Sequence, residues 1–253
     1  MQDHVTVKAL LASGSKVTFG MNSITIKLCG LSTAETMEAA LDAGADMVGL
    51  VFHPKSPRFV SNAIAAKLAD QARGRALIVA LVVDLDDRRL DAIHGSVSPD
   101  CWQLHGGEEI ERARHIRARF GKPVMKAIGW SGVPLRPGLG IPEYDDVMHF
   151  EHHVDRLLLD AKPPKDAAYP GGHGQPFDWT TLRELARGDP AVEGVEFILS
   201  GGLDPGNVAK AIGTVRGLGC SLVGVDVSSG VESAPGVKDT IKISDFIAAA
   251  RAA

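Results

Sequence analysis

Short runs of β-branched and aliphatic residues recur eight times along the chain, separated by stretches of helical period, and this alternation constrains the fold more than any other feature. The runs are ITIKL at 24–28, DMVGLVF at 46–52, ALIVALVV at 76–83, CWQL at 101–104, PVMKAI at 123–128, VDRLLLD at 154–160, GVEFILS at 194–200 and SLVGVDV at 221–227. Most are continuously apolar, as strands buried on both faces of a parallel sheet must be. Helices are expected at 33–43, 61–73, 86–94, 108–119, 178–187, 204–213 and 239–251, and the proline- and glycine-rich stretch 134–153 reads as an irregular loop leading to one weak helix. For the first helix, Ser32 is the expected N-cap, with Glu35 three residues on completing a capping box.

Repeated βα units close into a barrel or spread into a doubly wound sheet. A nucleotide-binding open sheet announces itself with G-x-G-x-x-G after its first strand, and neither that pattern nor a P-loop occurs here. The glycine-rich anion-binding candidates follow the seventh and eighth strands instead, where parallel α/β barrels keep their phosphate site. A single-domain (β/α)8 barrel over residues 21–253 is therefore predicted, with residues 1–20 as an N-terminal extension because Met21 stands just before the first strand. A length of 253 residues suits one such barrel, and 45% hydrophobic residues supply its core.

A net charge of −4 gives no positive field for nucleic acid or anionic lipid, and no segment approaches the ~18 apolar residues of a membrane span. Three scattered cysteines without CxxC spacing suit a reducing, cytoplasmic setting and suggest no metal site. His149, His152 and His153 lack metal-ligand spacing and read as a solvated segment. The expected partner is a small phosphorylated molecule. The outer helices offer no clear interface, so the chain is read as a monomer, with a homodimer as the alternative.

In a barrel, residues at the carboxyl ends of strands face the site, so position outweighs residue type. Cys29 ends the first strand; position alone leaves it open between a reactive thiol and a small buried hydrophobe. Cys101 and Cys220 begin their strands and take the second reading. Asp160 follows three leucines, surroundings that favour a protonated carboxyl able to act as an acid, the alternative being a pair with Lys162. In HPKSPRFV, prolines pin a loop presenting Arg58, whose planar fork suits a carboxylate, while Lys55 reads as a surface charge. The loops SGGL at 200–203 and DVSSGVE at 226–232 offer Gly201, Gly202, Asp226, Ser228, Ser229 and Gly230 to a phosphate and its sugar. His105 and His173 read as positioning groups, His105 beside the substrate.

Taken in order, KLCGL, AGADMVGLVFHPKSPRFVS, WQLHGGE, LLLDA, GG-x-G-x-x-FDW, LSGGLDPGNV and VDVSSGVE-x-x-PGVKD resemble phosphoribosylanthranilate isomerase over about residues 24–251. The resemblance implies a (β/α)8 barrel that performs an Amadori rearrangement without cofactor or metal. It assigns Cys29 as general base, Asp160 as general acid, Arg58 to the anthranilate carboxylate, and Gly201, Gly202 and Ser228–Gly230 to the phosphate. A thiol base further requires that its pKa be lowered locally. The chain departs from the family pattern at His173, where a small residue is expected, and in the extra length at 1–20 and 131–153. Related phosphosugar barrels with two aspartates or a lysine–glutamate pattern fit less well, and a barrel that only binds phosphorylated ligands is the remaining alternative.

Overall fold

The computed structural model describes residues 24–132, 141, 143–162, 166, 171, 177–186 and 195–253. The predicted 1–20 extension, His173 and, within 131–153, residues 133–140 and 142 lie outside these residues. Eight parallel strands close into a barrel in sequence order. They are β1 Thr25–Cys29, β2 Met47–Val51, β3 Leu77–Val82, β4 Cys101–Leu104, β5 Val124–Trp130, β6 Arg156–Ala161, β7 Phe197–Leu199 and β8 Leu222–Val227. The helices between them are α1 Ala34–Asp42, α2 Asn62–Ala72, α3 Asp87–Val97, α4 Ile110–Phe120, α5 Glu143–Glu151, α6 Val208–Gly217 and, closing the chain, α7 Thr240–Arg251. The expected helix at 178–187 is a 3-10 helix, Trp179–Leu185, and the weak helix expected within 134–153 is α5.

Alternation along each strand sorts side chains between two cores. Outward residues such as Ile26, Leu28, Val48 and Leu50 join the helices' apolar faces in the large outer core. Inward residues form a separate plug of Met47, Leu77, Val79, Cys101, Met125, Ala127, Leu158 and Ile198. Burying each large aliphatic side chain contributes about 1.5–3 kcal/mol, so both cores stabilise the closed ring. Above the plug, Cys29, Val51 and Leu81 make a smaller apolar group at the carboxyl end.

One local expectation is corrected. The N-cap of α1 is Thr33, in extended conformation, whose hydroxyl accepts from the Thr36 amide at 3.2 Å. The Thr33 and Thr36 hydroxyls also bond each other at 2.8 Å, so a reciprocal threonine pair takes the place of the expected Ser32–Glu35 box.

After β8 the chain makes a 3-10 turn, Ser229–Val231, then the short antiparallel strands β9 Glu232–Ala234 and β10 Val237–Lys238. This hairpin brings Glu232 and Lys238, both buried, to the rim beside β1 and β2.

Candidate active site

The last inward residue of β1 is Cys29, 4% exposed. Its register partner is Gly49, where a Cβ would stand 2.9 Å from the thiol sulfur, so glycine there leaves the thiol its space. Two residues earlier on the same face lies Lys27, fully buried, donating to Asp226 Oδ1 at 2.7 Å. Ser200 donates to Asp226 Oδ2 at 3.0 Å. Both carboxylate oxygens of Asp226 are thus engaged inside the barrel.

Burial would lower the Lys27 pKa, but Asp226 and Cys29 raise it well above the ordinary lysine value, so the ammonium stays charged. For Cys29, burial raises the pKa, Lys27 and Lys238 lower it, Asp226 raises it, and the net direction is up. The lowered thiol required of a base by the sequence reading is therefore not found: desolvation outweighs the two lysines.

Asp160, 5% exposed, is the last inward residue of β6, on the side that also carries Leu158. Its Oδ1 accepts from the Ala161 amide at 2.8 Å, and its Oδ2 lies 3.5 Å from His105 Nε2. Lys162, the alternative partner, goes to Glu143 at 2.7 Å. The HGGE turn holds His105 in place. Glu108 accepts from the amides of Asp84 and Gly106, each at 2.8 Å, and pairs with Lys126 at 3.0 Å. Gly171 crosses above this corner, where a Cβ would meet Asp160 Oδ2 at 2.6 Å and His105 Cε1 at 2.8 Å.

Arg58 is buried at 4% exposure, and its fork is already in use: Nε donates to Glu232 Oε1 at 2.7 Å and Nη2 to Oε2 at 2.9 Å. Lys238 also pairs with Glu232, at 2.8 Å, and donates to the Ser228 carbonyl at 2.9 Å. The arginine stem passes so close over Gly30 that a Cβ there would lie 2.6 Å from Cδ; Gly30 has φ +78°. Lys55 is exposed, as expected.

The two glycine loops are neighbours. Gly201 and Gly202 have φ of +83° and +64°, and a Cβ on Gly201 would strike the Ala161 nitrogen at 2.4 Å. A Cβ on Gly230 would fall 1.8 Å from the Leu203 carbonyl oxygen. Ser228 donates to the Cys29 carbonyl at 3.1 Å. One rim therefore runs from Cys29 through Ser228, Gly230, Leu203 and Gly201 to Ala161, the residue after Asp160.

Sequence reasoning missed Lys27, Ser200, Glu232 and Lys238. For Lys27 the signal was strand period, since it stands two residues before Cys29 on an otherwise apolar strand. Among the described residues there is no metal-binding cluster of His, Cys, Asp and Glu.

A closed parallel barrel with a thiol, a carboxyl and two glycine loops around the carboxyl rim has the architecture of the (β/α)8 barrel enzymes, whose sites lie at that face. The family model for N-(5'phosphoribosyl)anthranilate isomerase matches residues 26–249. The chain belongs to the phosphoribosylanthranilate isomerase family, a family of isomerases. It is 52% identical over 232 residues to the enzyme of that name from Nitrobacter winogradskyi, covering 91% of this chain and 94% of the relative. The Thermotoga maritima phosphoribosylanthranilate isomerase structure superposes with a TM-score of 0.74 at 32% identity, covering 91% of this chain and all of that one. A further structure of a phosphoribosylanthranilate isomerase, bound to reduced 1-(o-carboxyphenylamino)-1-deoxyribulose 5-phosphate, matches with a TM-score of 0.71 at 30% identity, with the same coverage.

Proposed function

We propose that the protein converts N-(5-phosphoribosyl)anthranilate to 1-(2-carboxyphenylamino)-1-deoxyribulose 5-phosphate, a step of tryptophan biosynthesis, with Asp160 as general acid and Cys29 as general base. Asp160 gives its proton to the ribose ring oxygen as the C1–O bond breaks, and the anthranilate nitrogen lone pair forms the iminium. The Cys29 thiolate then takes the C2 proton, and the electrons of that C–H bond become the C1=C2 bond of an enolamine, which tautomerises to the ketose. Electrons move within one substrate, so the chemistry calls for neither cofactor nor metal. A positioned acid and base each contribute about a hundredfold or more.

What carries the reading is the continuous rim: the glycine loops abut the ends of both β1 and β6, so a phosphate held there leaves the sugar carbons between thiol and carboxyl. Gly201, Gly202 and the Ser228–Gly230 turn take the phosphate through backbone amides and hydroxyls. Arg58, braced by Glu232, faces the anthranilate carboxylate; His105 steadies Asp160; Asp226 lies beneath the sugar hydroxyls. The catalytic unit is residues 21–253, residues 1–20 being an appendage. It acts in the cytoplasm as a monomer: among the described residues Phe59, Ile64, Val237 and Ile241 are the large apolar side chains left exposed, too few for an extensive interface. No described helix is long and apolar enough to cross a membrane.

The direct test is to follow the decay of phosphoribosylanthranilate fluorescence with purified protein. Decay is expected; a folded protein that leaves the signal unchanged would favour a barrel that only binds phosphorylated ligands.

A further inference from the structure

Lys27 has no place in the two-residue scheme, yet it is the most deeply buried charge in the barrel. A lysine at 0% exposure loses its hydration, and a sequence keeps such a group only where partners restore what water gave. Asp226 is one partner, at 2.7 Å. The Cys29 thiol stands two residues further along the same inward face of β1, and each group acts on the other's charge. The charged groups around that thiol come from three elements: Lys27 on β1 itself, Asp226 on β8 and Lys238 on β10. On the remaining sides stand Gly49 and Val51 of β2 and Leu81 of β3, which bring no charge.

Resting on the assignment of Cys29 as base, we propose that Lys27 is a positioning residue that stabilises the Cys29 thiolate, with Asp226 as the counter-charge that orients it. Desolvation disfavours a thiolate, and an apolar ring of Gly49, Val51 and Leu81 does nothing to offset it. An ammonium beside the sulfur favours the anion through low-dielectric surroundings where its effect is strong. Asp226 opposes that effect at longer range while holding the ammonium in place, and Ser200 fixes the carboxylate from its other oxygen. Removing the lysine leaves both the burial and the unpaired Asp226 charge acting on the thiol in the same direction.

Opposite shifts on the two sides of the pair separate this role from a packing role. The measurement is the pH dependence of iodoacetamide alkylation of Cys29, read by mass spectrometry of its peptide in the otherwise unmodified protein. Burial pushes Cys101 up to about 12 and raises Cys220, and reading the Cys29 peptide alone keeps both out of the measurement. Lys27→Met is expected to move the alkylation midpoint to higher pH by at least one unit, or about tenfold less thiolate at a given pH. Asp226→Asn is expected to move it below wild type, and Lys27→Met/Asp226→Asn to fall between wild type and Lys27→Met. Lys27→Arg, which keeps the charge, restores a midpoint near wild type. Where Lys27→Met fails to fold because it strands Asp226, the charge-free double variant and Asp226→Asn carry the test. Midpoints that coincide across the folded variants, or an Asp226→Asn midpoint above wild type, overturn the proposal. The rising acid limb of kcat/KM is expected to follow the same order. Midpoints that shift while that limb stays fixed would leave the Lys27–Cys29 coupling intact and instead sink Cys29 as base.

Discussion

The two ends of the barrel use the same side chains for different purposes. At the amino end, Asp46, Asp100 and Asp155 each stand just before an even-numbered strand and accept the backbone amide of Ile26, Ile78 or Val124 in the preceding strand, at 2.7, 2.9 and 2.9 Å. Asp46 also holds Arg251 of α7 at 2.7 Å, and Asp155 holds Arg117 of α4 at 2.9 Å. The device recurs before β2, β4 and β6 and satisfies amides that begin a ladder, whereas β8 is preceded by Ser221. At the carboxyl end no such repeat exists among the described residues. Asp160, Asp226 and Glu232 meet a histidine, a buried lysine and a buried arginine respectively. Each aspartate before a strand satisfies an amide of the neighbouring strand, whereas at the carboxyl end Asp226 is held by the Lys27 and Ser200 side chains and Asp160 accepts the amide of the residue that follows it.

The largest effects should come from the carboxyl end. Cys29→Ala and Asp160→Ala are each expected to lower kcat about a hundredfold or more with the circular dichroism spectrum and Tm preserved; near wild-type turnover in either would erase the distinction between the ends. Next comes Arg58→Ala, which removes the proposed carboxylate ligand and leaves Glu232 to Lys238 and the Gly236 amide. A tenfold or larger rise in KM is expected, about 1.4 kcal/mol of binding, and an unchanged KM would confine Arg58 to bracing the hairpin. At the amino end, Asp100→Ala and Asp155→Ala should cost about 1–2 kcal/mol of stability each in urea titrations, with kcat/KM unaltered. A loss of turnover larger than the loss of stability would show that the ends are coupled. Smallest of all, a chain beginning at Met21 is expected to match the full chain in kcat/KM.

The contrast between the ends also explains what the sequence disclosed. Strand order and closure were legible because parallel strands buried on both faces leave continuous apolar runs, such as LIVALV in β3. Strand ends placed Cys29 and Asp160 at the carboxyl rim without any need for contacts, while their roles came from the family resemblance. What escaped was pairing across the ring. Lys27 and Asp226 are register neighbours on β1 and β8, from opposite ends of the chain, and Arg58 meets Glu232 across 174 residues. Neither meeting leaves a local pattern. The thiol's direction of shift escaped for the same reason, since it depends on how completely the closed barrel strips water from Cys29. At α1 the miss was one of chemistry: serine, threonine and glutamate were all at hand, and Thr36 at the third position made Thr33 the better cap.

The proposed chemistry requires a thiol and a carboxyl to address one ligand from across the ring while two glycine loops hold its phosphate. The most direct measurement is a crystal structure of this protein soaked with reduced 1-(o-carboxyphenylamino)-1-deoxyribulose 5-phosphate. The phosphate is expected on the amides of Gly201, Gly202 and Ser228–Gly230, with the Cys29 sulfur and the Asp160 carboxyl on either side of the ribulose carbons. A phosphate seated elsewhere, or either side chain turned away from those carbons, would contradict the account.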